Sequence, residues 1–477
     1  MGMLKLITYG IITFFISTAS LFPQYGSIGS VDARSMGMGK TYTASTRGVH
    51  SIGLNPANLI LEDSIYFQFA TVLPLPTVSA KGGINVLSLD DINYFFGGVG
   101  GNSRLLTDDD KQRLNELFKD GGFISASASA QLLSLEIIPD KNIGAFGFAI
   151  SDYSGGKGIV PTAIVDLVLN GNPVDKVFDF SEAELQFWWI RNYSLSYAKK
   201  FDELEIGFIK DIAAGISVKL VHGFAYVGTE RVGTYITTSD KNEISGNADY
   251  LAFSSFSDNF GVKYEFDSTE HHSSFQLFPG PAGTGFGLDL GVSFLLGNRT
   301  TVSLAITDIG SITWKKNAAR FISEGSLFLD DLTESELRDS LIDKLVGTAE
   351  PVTEFSTGLA TAFRFGAAYV VSRYNEDNFQ GYLLIAADYN QGFNNLPGNS
   401  TQPRFSFGLE WQILDFLPMI RTGVEYSEVD KLNWAFGLGF VTSLLEVHLA
   451  TSSFQTTFFP ASSSIISLSL SSRWKFN

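Results

Sequence analysis

The feature that most limits how this chain can fold is a strict alternation of apolar and polar residues. From Arg404 to Ile413 the sequence is RFSFGLEWQI, in which Phe405, Phe407 and every second residue after them are apolar. Successive side chains of a β-strand point to opposite faces, so this pattern predicts a strand with one apolar and one polar face. The run matches the ~9–11 residues that a tilted strand needs to cross a bilayer.

The same alternation returns along the chain, at residues 216–220, 288–294 and 420–426. Beyond the N-terminus no window approaches ~18 uninterrupted apolar residues, so spanning helices are not predicted. Charged residues make up 17% of the chain, below the roughly 25% of soluble domains, while phenylalanine occurs 41 times. We therefore predict an all-β fold, a single transmembrane antiparallel β-barrel. The alternative is a soluble β-sandwich, which at this length needs several domains and Pro- or Gly-rich linkers that the sequence does not show.

Both ends of the chain carry features of an exported protein. Residues 1–20 have Lys5, an apolar run from Leu6 to Ile16 and small residues up to Ala19, which predicts a secretory signal peptide; the alternative is a membrane anchor. The last run, ISLSLSSRWKFN, puts apolar side chains on one face and serines with the basic residues on the other. Its terminal aromatics, Trp474 and Phe476, resemble the insertion signal of bacterial outer-membrane barrels, which predicts that location.

Local signals predict short irregularities between the strands. Gly297-Asn298-Arg299 is typical of a hairpin turn, and the alternation slips at 132–133, which indicates a bulge or a boundary between strands. Capping patterns predict three short helical inserts in loops, at residues 107–118, 161–171 and 333–345.

Several kinds of chemistry find no support in the sequence. The chain has no cysteine and five scattered histidines, and its net charge of -17 argues against a nucleic-acid partner. Gly37-Met38-Gly39-Lys40-Thr41 resembles the end of a phosphate-binding loop, but Arg34 stands where that loop needs its first glycine. We predict neither an enzyme nor a cofactor or metal site. The acidic run at 108–110 offers carboxylates to Ca²⁺, but a solvated loop is the preferred interpretation.

Charged residues on the polar faces of the strands have two interpretations. They form cross-strand ladders, which is the more frequent role, or they line a substrate path. The residues concerned are Lys219, Asp289, Arg404, Glu410, Arg421 and Glu425.

The segment from residue 32 to 59 resembles the N-terminal segment of the long-chain fatty-acid transporter (FadL-like) superfamily of outer-membrane proteins, including its PorV-like branch, which is associated with type IX secretion. In that superfamily a glycine-rich run leads into an Asn-Pro-Ala turn. The matching residues are Ala33, Arg34, Gly37, Met38, Gly39, Asn55, Pro56 and Ala57. The usual aromatic residue before the turn and glycine after it are replaced by Leu54 and Asn58, so equivalence of substrate does not follow.

The resemblance implies a barrel of about fourteen strands (63–477) whose N-terminal segment (21–62) folds into the lumen as a hatch. The residues agree with this, because Gly37 and Gly39 allow positive φ and close approach to a wall, and Pro56 gives a rigid turn. The implied function is passage of hydrophobic or amphipathic small molecules across the outer membrane. The abundant phenylalanine then supplies an apolar ligand pocket.

The alternative function is a PorV-like scaffold that contacts a protein partner through its loop helices. The remaining expected partners are outer-membrane lipid and lipopolysaccharide.

Overall fold

The structure, a computed structural model, describes ten segments of the chain: residues 32–62, 64–98, 104–201, 209–240, 243–260, 276, 278–329, 347–374, 380–427 and 431–476. Four features named above lie outside them: the predicted signal peptide, residues 21–31 of the predicted hatch, the predicted helix at 333–345, and Asn477. The adjacent histidines His271 and His272 also lie outside them.

Most of the described chain is β-strand. The strands are β1 (Phe67–Thr71), β2 (Thr77–Ile84), β3 (Gly122–Asp140), β4 (Gly144–Val160), β5 (Val177–Asp179), β6 (Glu184–Phe201), β7 (Ile209–Val232), β8 (Tyr235–Thr238), β9 (Ile244–Phe256), β10 (Gly283–Leu296), β11 (Thr300–Trp314), β12 (Ala319–Leu329), β13 (Thr348–Pro351), β14 (Phe355–Gly358), β15 (Ala362–Ser372), β16 (Tyr382–Gly392), β17 (Arg404–Gln412), β18 (Met419–Ser427), β19 (Lys431–Val441), β20 (Leu445–Thr451) and β21 (Ile465–Phe476). The helices are α1 (Ala33–Gly37), α2 (Leu89–Phe96), α3 (Asp108–Leu117) and α4 (Thr162–Asn170), with 3₁₀ turns at Gly48–Ser51, Pro56–Leu61, Asp258–Phe260, Phe454–Thr457 and Pro460–Ser462.

The described strands close into one antiparallel barrel of fourteen strands. β1 and β2 are two halves of its first strand, since both pair with β3 on one side and with β21 on the other. β14 and β15 likewise share one place beside β11. The pairing of the first strand with the last leaves the wall without an open edge, as a membrane requires. The prediction of a transmembrane barrel is confirmed.

The two faces of the wall follow the alternation in the sequence. In β17 the side chains of Phe405 and Phe407 are 53% and 49% exposed on the outside, while Arg404, Ser406 and Glu410 are buried inside. A charge facing lipid at mid-bilayer costs about 2–4 kcal/mol, so charges on the wall belong inside. The last strand obeys the same rule. Ser467, Ser469, Ser471 and Arg473 are buried on the inside.

Connections at the two ends of the barrel differ in length. One end has tight turns, such as Gly297-Asn298-Arg299, where Gly297 has a φ of 60°. The other end carries long loops with helices, so the short-turn end faces the periplasm and the long-loop end the exterior. The predicted hairpin is confirmed, and the slip at 132–133 is a bulge, with a register shift between Gln131 and Leu133.

Beyond the outer end of the wall, the chain builds a second small layer. β7 is 24 residues long, and its part beyond the wall pairs with β9. β9 also pairs with β12 and β8, and these two strands pair in turn with β13 and β5. The predicted helices at 107–118 and 161–171 are confirmed as α3 and α4. α2, which begins at the capping box of Ser88 and Asp91, was not predicted from the sequence.

Within the described part of the chain, no helix is long and apolar enough to cross a membrane. The even number of strands, the closed wall and the apolar outer face are those of bacterial outer-membrane barrels, and they place the chain in the outer membrane.

Candidate functional site

Residues 32–62, which we call the plug, fill the inside of the barrel. Its main-chain and side-chain atoms contact wall strands all round the ring, from β4 and β7 to β18, β19 and β20. The wall meets these atoms largely with glycines that point inward: Gly147, Gly215, Gly291, Gly366, Gly408, Gly423 and Gly437. A side chain at such a position would overlap the plug, so the glycines form its seat.

The glycine-rich start of the plug lies against the short strands of the barrel. Gly39 has a φ of 65°, and a Cβ there would lie 2.9 Å from the carbonyl oxygen of Val424. The prediction of positive φ is right for Gly39 and wrong for Gly37, which ends α1 with helical geometry. Gly37 serves close approach instead, because a Cβ there would lie 3.0 Å from the Cα of Gly437. Met38 is fully buried against the same wall.

Arg34 ties the start of the plug to the wall. Its Nε and one terminal nitrogen donate to the two carboxylate oxygens of Glu410 at 2.7 and 2.8 Å, and its other nitrogen donates to the carbonyl of Ser45 at 2.7 Å. Burial lowers the pKa of the Arg34 guanidinium, but the Glu410 carboxylate outweighs burial and raises that pKa above its ordinary value. Arg34 is therefore a permanent cation in a bidentate pair.

The middle of the plug is held by a second set of polar contacts. Lys40 Nζ lies 2.8 Å from a carboxylate oxygen of Glu425. One oxygen of Asp388 accepts from the backbone N–H groups of Tyr42 and Thr43 at 3.0 and 2.8 Å and from the Thr43 hydroxyl at 2.6 Å. The Tyr42 hydroxyl accepts from Arg404 at 2.7 Å. The wall therefore supplies a partner both for the ammonium group of Lys40 and for the backbone N–H groups of Tyr42 and Thr43.

The Asn-Pro-Ala turn is a rigid corner inside the barrel. Asn55 is extended, with a φ of -151°, and its side-chain oxygen caps the 3₁₀ turn Pro56–Leu61 by accepting from Ala57 N at 3.1 Å. Its amide nitrogen donates to the carbonyl of Thr43 at 3.0 Å and to the hydroxyl of Ser293 on β10 at 3.2 Å. A single asparagine thus joins two parts of the plug and the wall.

The end of the plug is tied by a second bidentate pair. Glu62 accepts from the two terminal nitrogens of Arg473 at 2.6 and 3.0 Å. Arg473 also donates to Glu446 on the neighbouring strand at 2.6 and 3.0 Å. Together, Arg34 and Glu62 clamp the plug at both of its ends.

One histidine joins the two clamps through the wall. Arg421, which bonds Glu410 at 2.6 Å, donates to His448 Nδ1 at 3.1 Å, and His448 Nε2 lies 3.4 Å from Glu446. Arginine has no acceptor, so Nδ1 must accept and the proton of the neutral ring sits on Nε2, which faces the carboxylate. A continuous series of polar contacts through Arg421 and His448 therefore connects the wall partners of the two ends of the plug.

The wall groups that bind the two ends of the plug each have a second partner on the wall. Glu410 keeps Arg421, and Arg473 keeps Glu446, in the absence of the plug. A buried charge left without a partner costs about 3–5 kcal/mol. Loss of the plug would therefore leave no buried charge without a partner at either clamp.

Between the plug and the taller wall of β2, β3, β4 and β6 lies a cavity of about 160 Å³. Its lining is mixed. Apolar atoms come from Met36, Ile52, Leu54 and Phe123, whereas the wall adds serines and lysines: Ser79, Ser125, Ser127, Ser129, Ser151, Ser194, Lys81 and Lys157. Burial lowers the pKa of His50, which also lines the cavity, so its ring is neutral at neutral pH.

The lining corrects one expectation about phenylalanine. Phe123 is the single phenylalanine among the described residues that line this cavity, whereas Phe286, Phe405 and Phe407 face outward. The abundant phenylalanine therefore covers the lipid-facing wall instead of forming the predicted apolar pocket.

An aromatic layer closes the inside of the barrel near its outer end. Trp188, Tyr226 and Trp314 are buried there, and the ring centroids of Tyr226 and Trp314 lie 5.3 Å apart. Phe355 packs on the same group, 5.5 Å from Tyr226. Tyr153, which lines the cavity, packs against this layer.

All eight residues that carry the resemblance lie in the plug. Seven of them are buried, and Arg34 is mostly so. The structure brings Ala33 and Arg34 to one side of the lumen and the Asn55 corner to the opposite side. The insertion-signal residues Trp474 and Phe476 lie apart from this site, where their rings stack with Phe69.

Other plug residues that bind the wall were not predicted from the sequence, among them Lys40, Tyr42, Thr43 and Glu62. Their partners lie more than 300 positions away, as Asp388 does from Tyr42, and no local pattern signals such a contact.

Comparison with known proteins gives one family and a set of similar folds. Residues 64–452 match the model of DUF5723, described as a family of unknown function. No curated protein matches the sequence. Among solved structures, the toluene transporter TbuX of Ralstonia pickettii is 12% identical with a TM-score of 0.47, over 95% of this chain and 99% of TbuX. A Pseudomonas aeruginosa FadL homologue is 13% identical with a TM-score of 0.43, over 95% of this chain and 100% of its own. The toluene transporter TodX of Pseudomonas putida is 10% identical with a TM-score of 0.44, over 95% and 99%.

Proposed function

This chain belongs to the family of unknown function DUF5723, and we propose that it is a gated channel for amphipathic small molecules in the outer membrane. One observation carries the proposal. The plug is held at both ends by ion pairs whose wall members keep a partner of their own, Glu410 with Arg421 and Arg473 with Glu446. Such pairing would keep the charges of the wall neutralised whenever the plug leaves its seat.

The substrate class follows from the cavity. Apolar atoms of Met36, Ile52 and Leu54 face hydroxyl groups and lysines of the wall across about 160 Å³. A pure hydrocarbon would leave those polar groups unsatisfied, at a cost of about 1–3 kcal/mol each, and a fully polar solute would leave the apolar side without contacts. A molecule with an apolar tail and a polar or anionic head matches both sides.

The test is flux through the purified protein in proteoliposomes. A fluorescent alkyl sulfonate, which crosses lipid slowly, should enter faster with the protein than through protein-free vesicles. Ser125→Phe fills the cavity and should abolish the gain, whereas Ala387→Phe, on the outer face of β16, should leave it unchanged. Equal entry into protein-containing and protein-free vesicles would refute the proposal.

A second candidate function, a scaffold for a protein partner, is favoured by the outer loops. α4 packs against two core clusters through Ala163, Val165, Leu167 and Leu169, but its Val168 is 77% exposed. Leu105 and Phe96 nearby are 92% and 67% exposed. Exposed apolar residues of this size in loops are typical of docking surfaces. Extraction in mild detergent should then yield a stoichiometric partner that Val168→Asp releases; a bare barrel from native membranes would oppose this function.

A further inference from the structure

The outer face of the barrel has an indentation that the plug and its cavity do not explain. Most outward side chains of the wall are large, as in β17 and β19. Across the upper halves of β2, β3 and β4 they are small: Ala80, Gly82, Ala126, Ala128, Ser154 and Gly156. We call this surface the outer groove.

The strand register shows its shape. One row across the wall reads Leu468, Ala80, Ala128, Ser154, Trp189, with each residue paired to the next. The next row, two residues nearer the exterior, reads Ile466, Gly82, Ala126, Gly156, Phe187. Each row therefore has a large apolar residue at both ends and three small ones between.

The sides of the groove are far enough apart to admit a ligand. Its flanking strands, β21 and β6, are separated by four strand spacings, which is about 19 Å. Leu468 and Ile466 stand on one side with 59% and 55% exposure, and Leu185 on the other with 54%. The indentation is open to the outside and has a volume of about 1000 Å³.

Both ends of the groove are closed. At the outer end, Leu89 and Ile92 of α2 line it, and α2 is fixed there because Leu89 N donates to the Ser463 carbonyl at 2.9 Å. At the inner end, Asp152 lies in the row beside Arg191, whose terminal nitrogen donates to it at 2.8 Å. Below this pair the outward residues of β3 and β4 are large again.

The length of the groove identifies its occupant. Small residues fill two successive rows, which at two residues per row is about 13 Å along the strands. The hydrocarbon core is ~30 Å thick, so the groove spans one leaflet and is too short for a membrane-spanning partner helix. It is also continuous with the lipid-facing band of the wall. We propose that the outer groove is a binding site for the acyl chains of an outer-leaflet lipid.

The site differs from ordinary lipid contact in its shape. On a wall of large side chains an acyl chain touches the protein along one side only. In the outer groove the chain contacts the floor, one flank and the underside of α2, so it loses more contacts on leaving than a lipid elsewhere on the wall. The inference does not rest on the proposed function, because a channel and a scaffold need the same membrane.

The test is native mass spectrometry of the whole protein in detergent with added dipalmitoyl phosphatidylglycerol. Wild-type protein should retain bound lipid. Ala128→Phe fills the floor and should lower occupancy about tenfold, the effect of roughly two methylene groups losing their contacts. Ala387→Phe, an outward alanine on β16, is the matched control and should bind as wild type.

Folding of each variant is checked by heat-modifiable mobility on SDS gels, and Ala126→Leu replaces Ala128→Phe if that variant does not fold. Equal occupancy in the groove variant and the control would overturn the proposal. So would a stoichiometric polypeptide that co-purifies from native membranes and is lost from the groove variant, since a protein would then occupy the groove.

Discussion

Removal of the Arg34 side chain should loosen the plug without unfolding the barrel. Arg34→Met keeps the apolar stem and removes two charge-assisted hydrogen bonds to Glu410 and one to the Ser45 carbonyl, all at 2.7–2.8 Å. Such bonds contribute about 1.5–3 kcal/mol each when their loss leaves a charge unpaired. Glu410 retains Arg421 at 2.6 Å, so the net cost falls below the ~3–5 kcal/mol of an orphaned buried charge.

We therefore expect a loss of about 2–3 kcal/mol in docking of the plug, which is roughly a 30- to 150-fold rise in its undocked population. Glu410→Gln should cost more, about 3–5 kcal/mol, because it leaves both Arg34 and Arg421 facing a neutral amide. We expect Glu410→Gln to lose more docking free energy than Arg34→Met because two arginines share the Glu410 carboxylate, and not because of a difference in side-chain size. Lys111→Met removes an exposed helix pair and should change nothing.

The assay is hydrogen exchange of the backbone amides of residues 32–62, in protein embedded in nanodiscs. Protection of these amides should fall by the same factor as docking, while amides of the wall strands keep their protection. Unchanged exchange in Arg34→Met, or a larger effect there than in Glu410→Gln, would refute the account of the clamp. Uniform loss of protection across the wall would show that the pair holds the barrel and not the plug.

Three further variants test separate parts of the account. Gly423→Leu puts a side chain where Met38 sits and should raise ion conductance in planar bilayers, whereas Gly82→Ala, on the outer face, should not; equal conductance would contradict the seat. Asn55→Ala removes a cap and two further bonds and should lower protection of the plug by about 1–3 kcal/mol, measured by the same exchange assay. Phe476→Ser should reduce assembled barrel in cells, measured as heat-modifiable protein, and normal assembly would remove its role as an insertion signal.

The wall of the barrel was predictable because each residue that faces lipid must be apolar, whatever its partners in the fold. Phe405 and Phe407 must face hydrocarbon and Glu410 must not, so the alternation appears in the sequence itself. The extra layer beyond the wall was not predictable in this way. β9 and its neighbours stand in water and cover one another, so their outward positions accept polar residues and the alternation weakens. α2 carried a usable signal, Ser88 three residues before Asp91.

The plug was predictable in place but not in contacts. Asn55, Pro56 and the glycines gave its turns, because these depend on local backbone geometry. Its clamps depend on pairs such as Arg34 and Glu410, which are 376 positions apart. Which carboxylate a given arginine meets is fixed by the order of strands round the ring, and one sequence does not contain that order.

The central claim is that the plug must leave its seat for the channel to conduct its substrate. The chain has no cysteine, so a disulfide is free to be placed as a lock. A Cβ at Gly37 would lie 3.3 Å from the Cβ of Ala450, close to the ~3.5–4.5 Å of disulfides. In the double variant Gly37→Cys, Ala450→Cys, flux of the alkyl sulfonate should stop on oxidation and return on reduction, while each single variant conducts under both conditions. Undiminished flux through the oxidised, cross-linked protein would contradict the claim.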